Sequence, residues 1–165
     1  MIAGGCRCGA VRYSLAVEAM PGTYACHCTR CQRSTGSSFA HQMPVREDAL
    51  AVTGEVITAP MPSLTDAVSL HRYCGTCYTR LYNTNSARPG LAIVRAGTVD
   101  GSERLSPKMH IYISTKQPWV ALPGGVPAYE ENAPTDAWLK LFAWRRVPSR
   151  SGLSGGASQE GDLTE

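Results

Sequence analysis

The chain has 165 residues, of which 43% are apolar and 18% charged, with 16 glycines, 11 prolines and a formal net charge of +3. That length sets about one domain, the apolar share excludes a disordered chain, and the abundance of turn-formers argues against a helical bundle. The charge is too small to indicate a nucleic-acid partner, and no stretch approaches the ~20 apolar residues that span a bilayer. Met1 to Cys8 has no basic segment followed by an apolar one, so no signal peptide is expected and the cytoplasm is the expected compartment. In that compartment seven cysteines point to metal or thiol chemistry rather than to disulfides, and an odd number leaves one over.

In chain order, Val11, Tyr13 and Leu15 alternate with Arg12 and Ser14, the pattern of a half-buried strand. Thr29 to Ser34 predicts a short helix stopped by Gly36. Strands are predicted at Leu70 to Tyr73, Arg80 to Tyr82, Leu91 to Val94, Ile111 to Ile113 and Trp119 to Leu122. Glycines 54, 75, 97, 101, 124 and 125 punctuate these runs. Asp136 to Arg146 predicts a C-terminal helix capped by Thr135, with Trp138, Leu141 and Phe142 on one face and Arg145 and Arg146 at its C-terminal end. Residues 1–147 are expected to form the domain. Residues 148–165 read as a flexible Ser/Gly-rich tail that ends acidic, with Glu160, Asp162 and Glu165.

The cysteines fall into three clusters: Cys6-Arg7-Cys8, Cys26-His27-Cys28-Thr29-Arg30-Cys31, and Cys74-Gly75-Thr76-Cys77. A structural zinc takes four soft ligands, and a tight knuckle supplies two from one turn. Two distant knuckles can therefore clamp two hairpins, which assigns Cys6, Cys8, Cys74 and Cys77 to a closed folding site. The remaining Cys26, Cys28 and Cys31 give three ligands and one open position, the pattern of a catalytic or ligand-binding zinc. A histidine could instead close that site, with His41, His71 and His110 as candidates. Two divalent ions on seven thiolates would bring the +3 charge close to neutral.

These motifs resemble one family. Gly5-Cys6-Arg7-Cys8-Gly9-Ala10-Val11-Arg12-Tyr13, the segment from Cys26 to Ser37, Tyr73-Cys74-Gly75-Thr76-Cys77, and the segment from His110 to Trp119 are similar, in order, to the motifs of the glutathione-dependent formaldehyde-activating family. That family includes the centromere protein V group. The resemblance implies a mainly β, Mss-four-like fold of small antiparallel sheets held by zinc, here with a short C-terminal helix. It implies the same division of cysteines, two zinc ions per chain, and glutathione as co-substrate. The implied activity is that of a carbon–sulfur lyase, the reversible addition of glutathione to formaldehyde or a related aldehyde. The stretch after Glu130 departs from the family pattern.

A thiol that enters the fourth position of a zinc is deprotonated by it and can attack a carbonyl carbon. His110 and Tyr112 are the candidate groups for delivering a proton to the product oxygen, and His41 and His71 read as structural. Arg30, Arg33 and Lys116 are the candidates for binding the carboxylates of glutathione. The expected partners are a small thiol and an aldehyde, with a homodimer left open and neither nucleic acid nor membrane. The alternative is a non-enzymatic zinc-stabilised module that binds a thiol ligand or a protein. A nucleic-acid-binding zinc ribbon is the weakest reading, because aromatics are not interleaved with a basic run.

Overall fold

The computed structural model describes residues 1–61 and 66–142. The Ser/Gly-rich tail, and Arg145 and Arg146 of the expected helix, lie outside the described residues. The elements run β1 (Ile2–Gly5), β2 (Arg12–Leu15), β3 (Thr23–Cys26), α1 (Thr29–Thr35), β4 (Ala40–Arg46), β5 (Leu50–Thr53), β6 (Val56–Met61), β7 (Ser69–Cys74), β8 (Arg80–Asn85), β9 (Leu91–Arg95), β10 (Pro107–Ile111), β11 (Ala128–Tyr129) and α2 (Thr135–Leu141). The protein is therefore mainly β with a short C-terminal helix, as expected. Among the described residues no helix is long and apolar enough to cross a membrane.

Two sheets form. β1, β2 and β5 make a three-stranded antiparallel sheet. The other eight strands are ordered β11-β10-β3-β4-β9-β8-β7-β6. Pairing is antiparallel from β3 through to β6, whereas β10 runs parallel to both β3 and β11.

The alternation of side chains in a strand assigns the two faces of the larger sheet. On one face Met43, Val45, Ala92 and Val94 pack with Leu81 and with Val11, Tyr13, Leu15 and Val17 around the three-stranded sheet. Cys6 and Cys74 belong to this core. On the opposite face Tyr24, Cys26, Met109 and Ile111 pack with Ala133 and Leu141, and Cys28, Cys31 and Tyr112 lie against them. Trp138 of α2 meets Tyr24 edge-to-face, with ring centroids 4.9 Å apart, so α2 helps to cover this second core. One sheet thus carries a cysteine cluster on each face.

Local chemistry accounts for α1. The Cys28 sulfur caps it by accepting the Cys31 N–H, and Gly36 ends it at φ 64° while its own N–H returns to the Gln32 carbonyl. A Cβ is disfavoured at that left-handed φ, so the sequence stop at Gly36 is a backbone requirement.

Three expectations are corrected. Trp119 to Leu122 is not a strand. Pro118 and Pro123 remove two donors, Val120 turns back to the Gln117 carbonyl, and the Lys116 ammonium binds the carbonyls of Gln117 and Val120. Ile113 leaves β10 and starts a 3-10 turn over Ile113–Thr115, entered through Tyr112 at φ 56°. Thr135 is the first residue of α2 and not its cap; Pro134 stands at that place without a side-chain bond.

Leu81 is fully buried at the centre of the first core. Leu81→Ala should destabilise the metal-loaded protein by roughly 2–5 kcal/mol, read as a lower urea midpoint with an unchanged slope.

Candidate metal centres

The first cysteine cluster joins the two layers. Cys6 and Cys8 follow β1 in a turn closed by Gly9 N–H to the Cys6 carbonyl (3.2 Å) and by Cys6 N–H to the Val11 carbonyl (3.0 Å). Gly9 has φ 80°, a backbone conformation that a Cβ would disfavour. Cys74 and Cys77 turn β7 into β8, with Tyr78 N–H on the Cys74 carbonyl at 3.1 Å and Tyr78 itself at φ 57°. Backbone amides aim at the sulfurs: Val11 N–H at Cys6 Sγ (3.3 Å), and Thr76 and Cys77 N–H at Cys74 Sγ (3.4 and 3.5 Å).

Cys6 and Cys8 sulfurs are 3.4 Å apart, Cys8 and Cys74 3.8 Å, and all four sulfurs lie within 4.8 Å of one another. Tetrahedral zinc–sulfur bonds of ~2.3 Å place ligand sulfurs about 3.8 Å apart, so the quartet fits such an ion. Its thiols cannot all ionise on their own. The Thr79 hydroxyl draws Cys77 down to about 5. Cys8 is pulled down by the Ala10 amide, but its neighbours Cys77 and Cys6 drive it up to about 12. A cation among the sulfurs removes that conflict.

The second cluster wraps around the start of α1. Cys26 ends β3, Cys28 caps the helix, and Cys31 sits in its first turn. Cys26 and Cys28 sulfurs are 3.5 Å apart, and all three sulfurs lie within 4.8 Å of one another. Among the described residues no histidine, carboxylate or further cysteine joins the three at that range. The same conflict recurs: Cys26 and Cys31 hold the Cys28 thiol well below its usual range, while Cys28 and Cys31 push Cys26 far above it. Three convergent soft donors suit a soft or borderline divalent ion. The two clusters can each hold a metal ion.

The histidines considered as closing ligands stand elsewhere. His110 pairs in register with Ala25, and Ala25 with His41, which puts both histidines on the face opposite Cys26 and Ile111. His110 Nδ1 lies 3.0 Å from His27 Nε2, and His41 Nε2 lies 2.8 Å from the Thr23 hydroxyl. His71 accepts Arg80 Nη2 at 3.0 Å, and burial followed by the charge of Arg80 holds it down to about 4. His110 is thus not brought to the three sulfurs.

Tyr112 lies on the cysteine side, packed against the core that holds Cys26. Its phenol is pushed up by burial and by Cys26 and Cys28, and its backbone holds a left-handed conformation that is an outlier for a bulky residue. Arg30 and Arg33 lie on the exposed side of α1. Lys116 is tied to its two carbonyls and fixes the 116–120 turn. Gln32 fastens α1 to the same segment, donating to the His27 and Thr115 carbonyls at 2.6 and 2.8 Å and accepting from Gln117 at 2.7 Å.

Sequence reasoning missed the polar layer on the Cys31 side. Gln42 donates to Cys31 Sγ at 3.8 Å, Arg95 stands opposite Gln42 on β9, and Arg80 reaches from β8 to Ser34 of α1 at 3.5 Å. Arg80 and Arg95 come from strands remote in sequence from the cysteines, and only the sheet order brings them there. A cavity of about 530 Å³ opens beneath α2 between Met20, Met109, Tyr129 and Leu141, and no cysteine lines it.

Comparison with known proteins places this arrangement. A family model described as "Glutathione-dependent formaldehyde-activating enzyme" matches residues 1–115. A curated protein of Halomonas elongata bearing the name "Putative glutathione-dependent formaldehyde-activating enzyme" is 26% identical, over 74% of this chain and 81% of its own length. A Rhodobacter sphaeroides protein of known crystal structure is 17% identical and covers 77% of this chain and 98% of its own, with a TM-score of 0.47. The matched 115 residues include both cysteine clusters and β10, and the chain belongs to the glutathione-dependent formaldehyde-activating enzyme family.

Proposed function

We propose that the protein is a zinc-dependent carbon–sulfur lyase that adds glutathione reversibly to formaldehyde or a related aldehyde at Cys26, Cys28 and Cys31. The observation that carries this reading is the set of three sulfurs, within 4.8 Å of one another, that no fourth described protein ligand joins. The family membership and the name of the Halomonas elongata relative support the chemistry. Cys6, Cys8, Cys74 and Cys77 hold a second zinc that has a folding role. A zinc held by the three sulfurs would favour the thiolate of a fourth, incoming thiol.

The protein residues then act on the reactants. The thiol gives up its proton to solvent, and its sulfur attacks the aldehyde carbon. A C–S bond forms as the C=O π bond opens, and the oxygen takes a proton from the Tyr112 hydroxyl, which water restores. The product is the S-hydroxyalkyl thiol, and the reverse steps release aldehyde. The buried side of the site, formed by Tyr24, Ile111 and Tyr112, limits water there. Gln42 steadies Cys31, and α1 is held by Gln32. Three thiolates make a weak Lewis acid, so sulfur chemistry is favoured over hydrolysis.

Metal analysis of the purified chain should give two zinc ions, one of them released faster by chelator or excess thiol. A stoichiometry of one would remove the basis for an active centre. Cys28→Ala should lose thiol binding, measured by calorimetry, and keep near-native circular dichroism, whereas Cys74→Ala should fail to fold stably because a structural zinc supplies an apparent ~10–16 kcal/mol. Equal unfolding of both would refute the division of labour. Tyr112→Phe should lower the exchange rate between glutathione and its ¹³C-formaldehyde adduct about 100-fold or more, with glutathione affinity retained. Absence of exchange above the uncatalysed rate in the unsubstituted protein would overturn the enzyme reading.

A further inference from the structure

The layer beside Cys31 contains two guanidinium groups that no carboxylate neutralises. Arg95 is 8% exposed, and its Nη1 is buried without a hydrogen-bond partner. Arg80 gives Nη2 to His71 and to Asn83 Oδ1 (3.0 and 2.8 Å), yet its buried Nε has no partner either. Among the described residues the ion pairs are Arg12–Asp100, Arg46–Asp48 and Lys140–Asp136, and none involves Arg80 or Arg95. Beyond its burial, Arg95 feels the thiols of Cys31 and Cys26 and the phenols of Tyr24 and Tyr73. Burial and then Arg95 draw Arg80 down to about 10.

Two guanidinium groups, one buried and one half-buried, each with a buried nitrogen that meets no acceptor, are costly unless an anion meets them. Three thiolates on one divalent ion leave a single net negative charge, enough to balance one guanidinium. The donors left over are directional N–H groups, which match a carboxylate better than a diffuse sulfur cluster does. Arg30 and Arg33 are exposed, where pairing with an anion is weak.

We propose that Arg80 and Arg95 form an anion subsite that takes a carboxylate carried by the incoming thiol, so that acidic mercaptans are the preferred class of co-substrate. The proposal rests on the reading of Cys26, Cys28 and Cys31 as the thiol centre. Arg80 and Arg95 select the thiol by its acid group, and the sulfurs bind its other end.

The test titrates the zinc-loaded protein calorimetrically with 3-mercaptopropionate and 2-mercaptoethanol, and with glutathione and its dimethyl ester. Each acid should bind about tenfold or more tighter than its neutral counterpart. Arg80→Gln should bring that ratio close to one and leave 2-mercaptoethanol binding unchanged. Arg95→Lys, which keeps the charge and loses the fork, should reduce the ratio in part. Equal affinities of acid and neutral thiols in the unsubstituted protein would overturn the proposal, as would discrimination that survives Arg80→Gln. Should the Arg95 variant not fold, the acid–neutral comparison and Arg80→Gln decide. Failure of the thiol reading shows separately, as no binding of 2-mercaptoethanol. In that event succinate is titrated instead: binding that Arg80→Gln weakens about tenfold upholds the anion subsite, and no binding overturns it.

Discussion

Sulfur atoms packed a few ångströms apart cannot all carry charge unless a cation stands among them. The fold brings seven cysteines into two such groups and aims backbone amide N–H donors at their sulfurs. The quartet bridges the hairpin turns of two sheets, so its stability and that of the first core are one quantity. The triplet is built within six consecutive residues around a helix start, so an ion there closes only a short loop. Under the proposed function, that difference in span separates a clamp from a reactive centre. A site that closes a long loop confines the unfolded chain, whereas a local site does not.

The partition of cysteines was legible because it is a counting problem: three tight clusters, seven donors, and tetrahedral demand. The α1 boundaries were legible because Gly36 supplies the left-handed stop. The alternation at Val11, Tyr13 and Leu15 marked a strand with one buried face, and that strand lines the first core. The face on which a residue lies was harder to read. His110 and Ile111 are neighbours in sequence, yet only Ile111 turns towards Cys26, because β10 pairs with β3 in a register that sends His110 to the histidine side. The β-forming side chains of Trp119 to Leu122 misled in another way: propensity describes side chains, while the two prolines and the ammonium of Lys116 had already taken the donors and acceptors a ladder would need. Arg80 and Arg95 carry no local signal, since their meaning comes from the order of strands in the sheet.

The two faces of the larger sheet divide the work. One face is packed against a second sheet and carries the cysteine quartet at its rim. The other is covered by α2 and by the segment from Tyr112 to Val120 at one end, and towards β7 and β8 it becomes polar and positively charged. The three sulfurs sit at the junction between those halves. An apolar wall and a cationic wall therefore meet at the same few atoms, an arrangement suited to a ligand whose sulfur needs shelter while its remaining groups need solvation.

The parallel seam between β3 and β10 has a consequence for biogenesis. All four residues of β3 are buried, but the register across this seam pairs residues as much as 85 positions apart, as in His110 with Ala25. A nascent chain that has produced the triplet, α1 and β4 still exposes one side of β3 as an unpaired edge until residues 107–111 have been synthesised and have docked. Such late-closing pairings are slow and prone to association with other chains. During that interval this edge is open to pairing with other chains, although the three thiols of Cys26, Cys28 and Cys31 are already close enough in sequence to capture an ion.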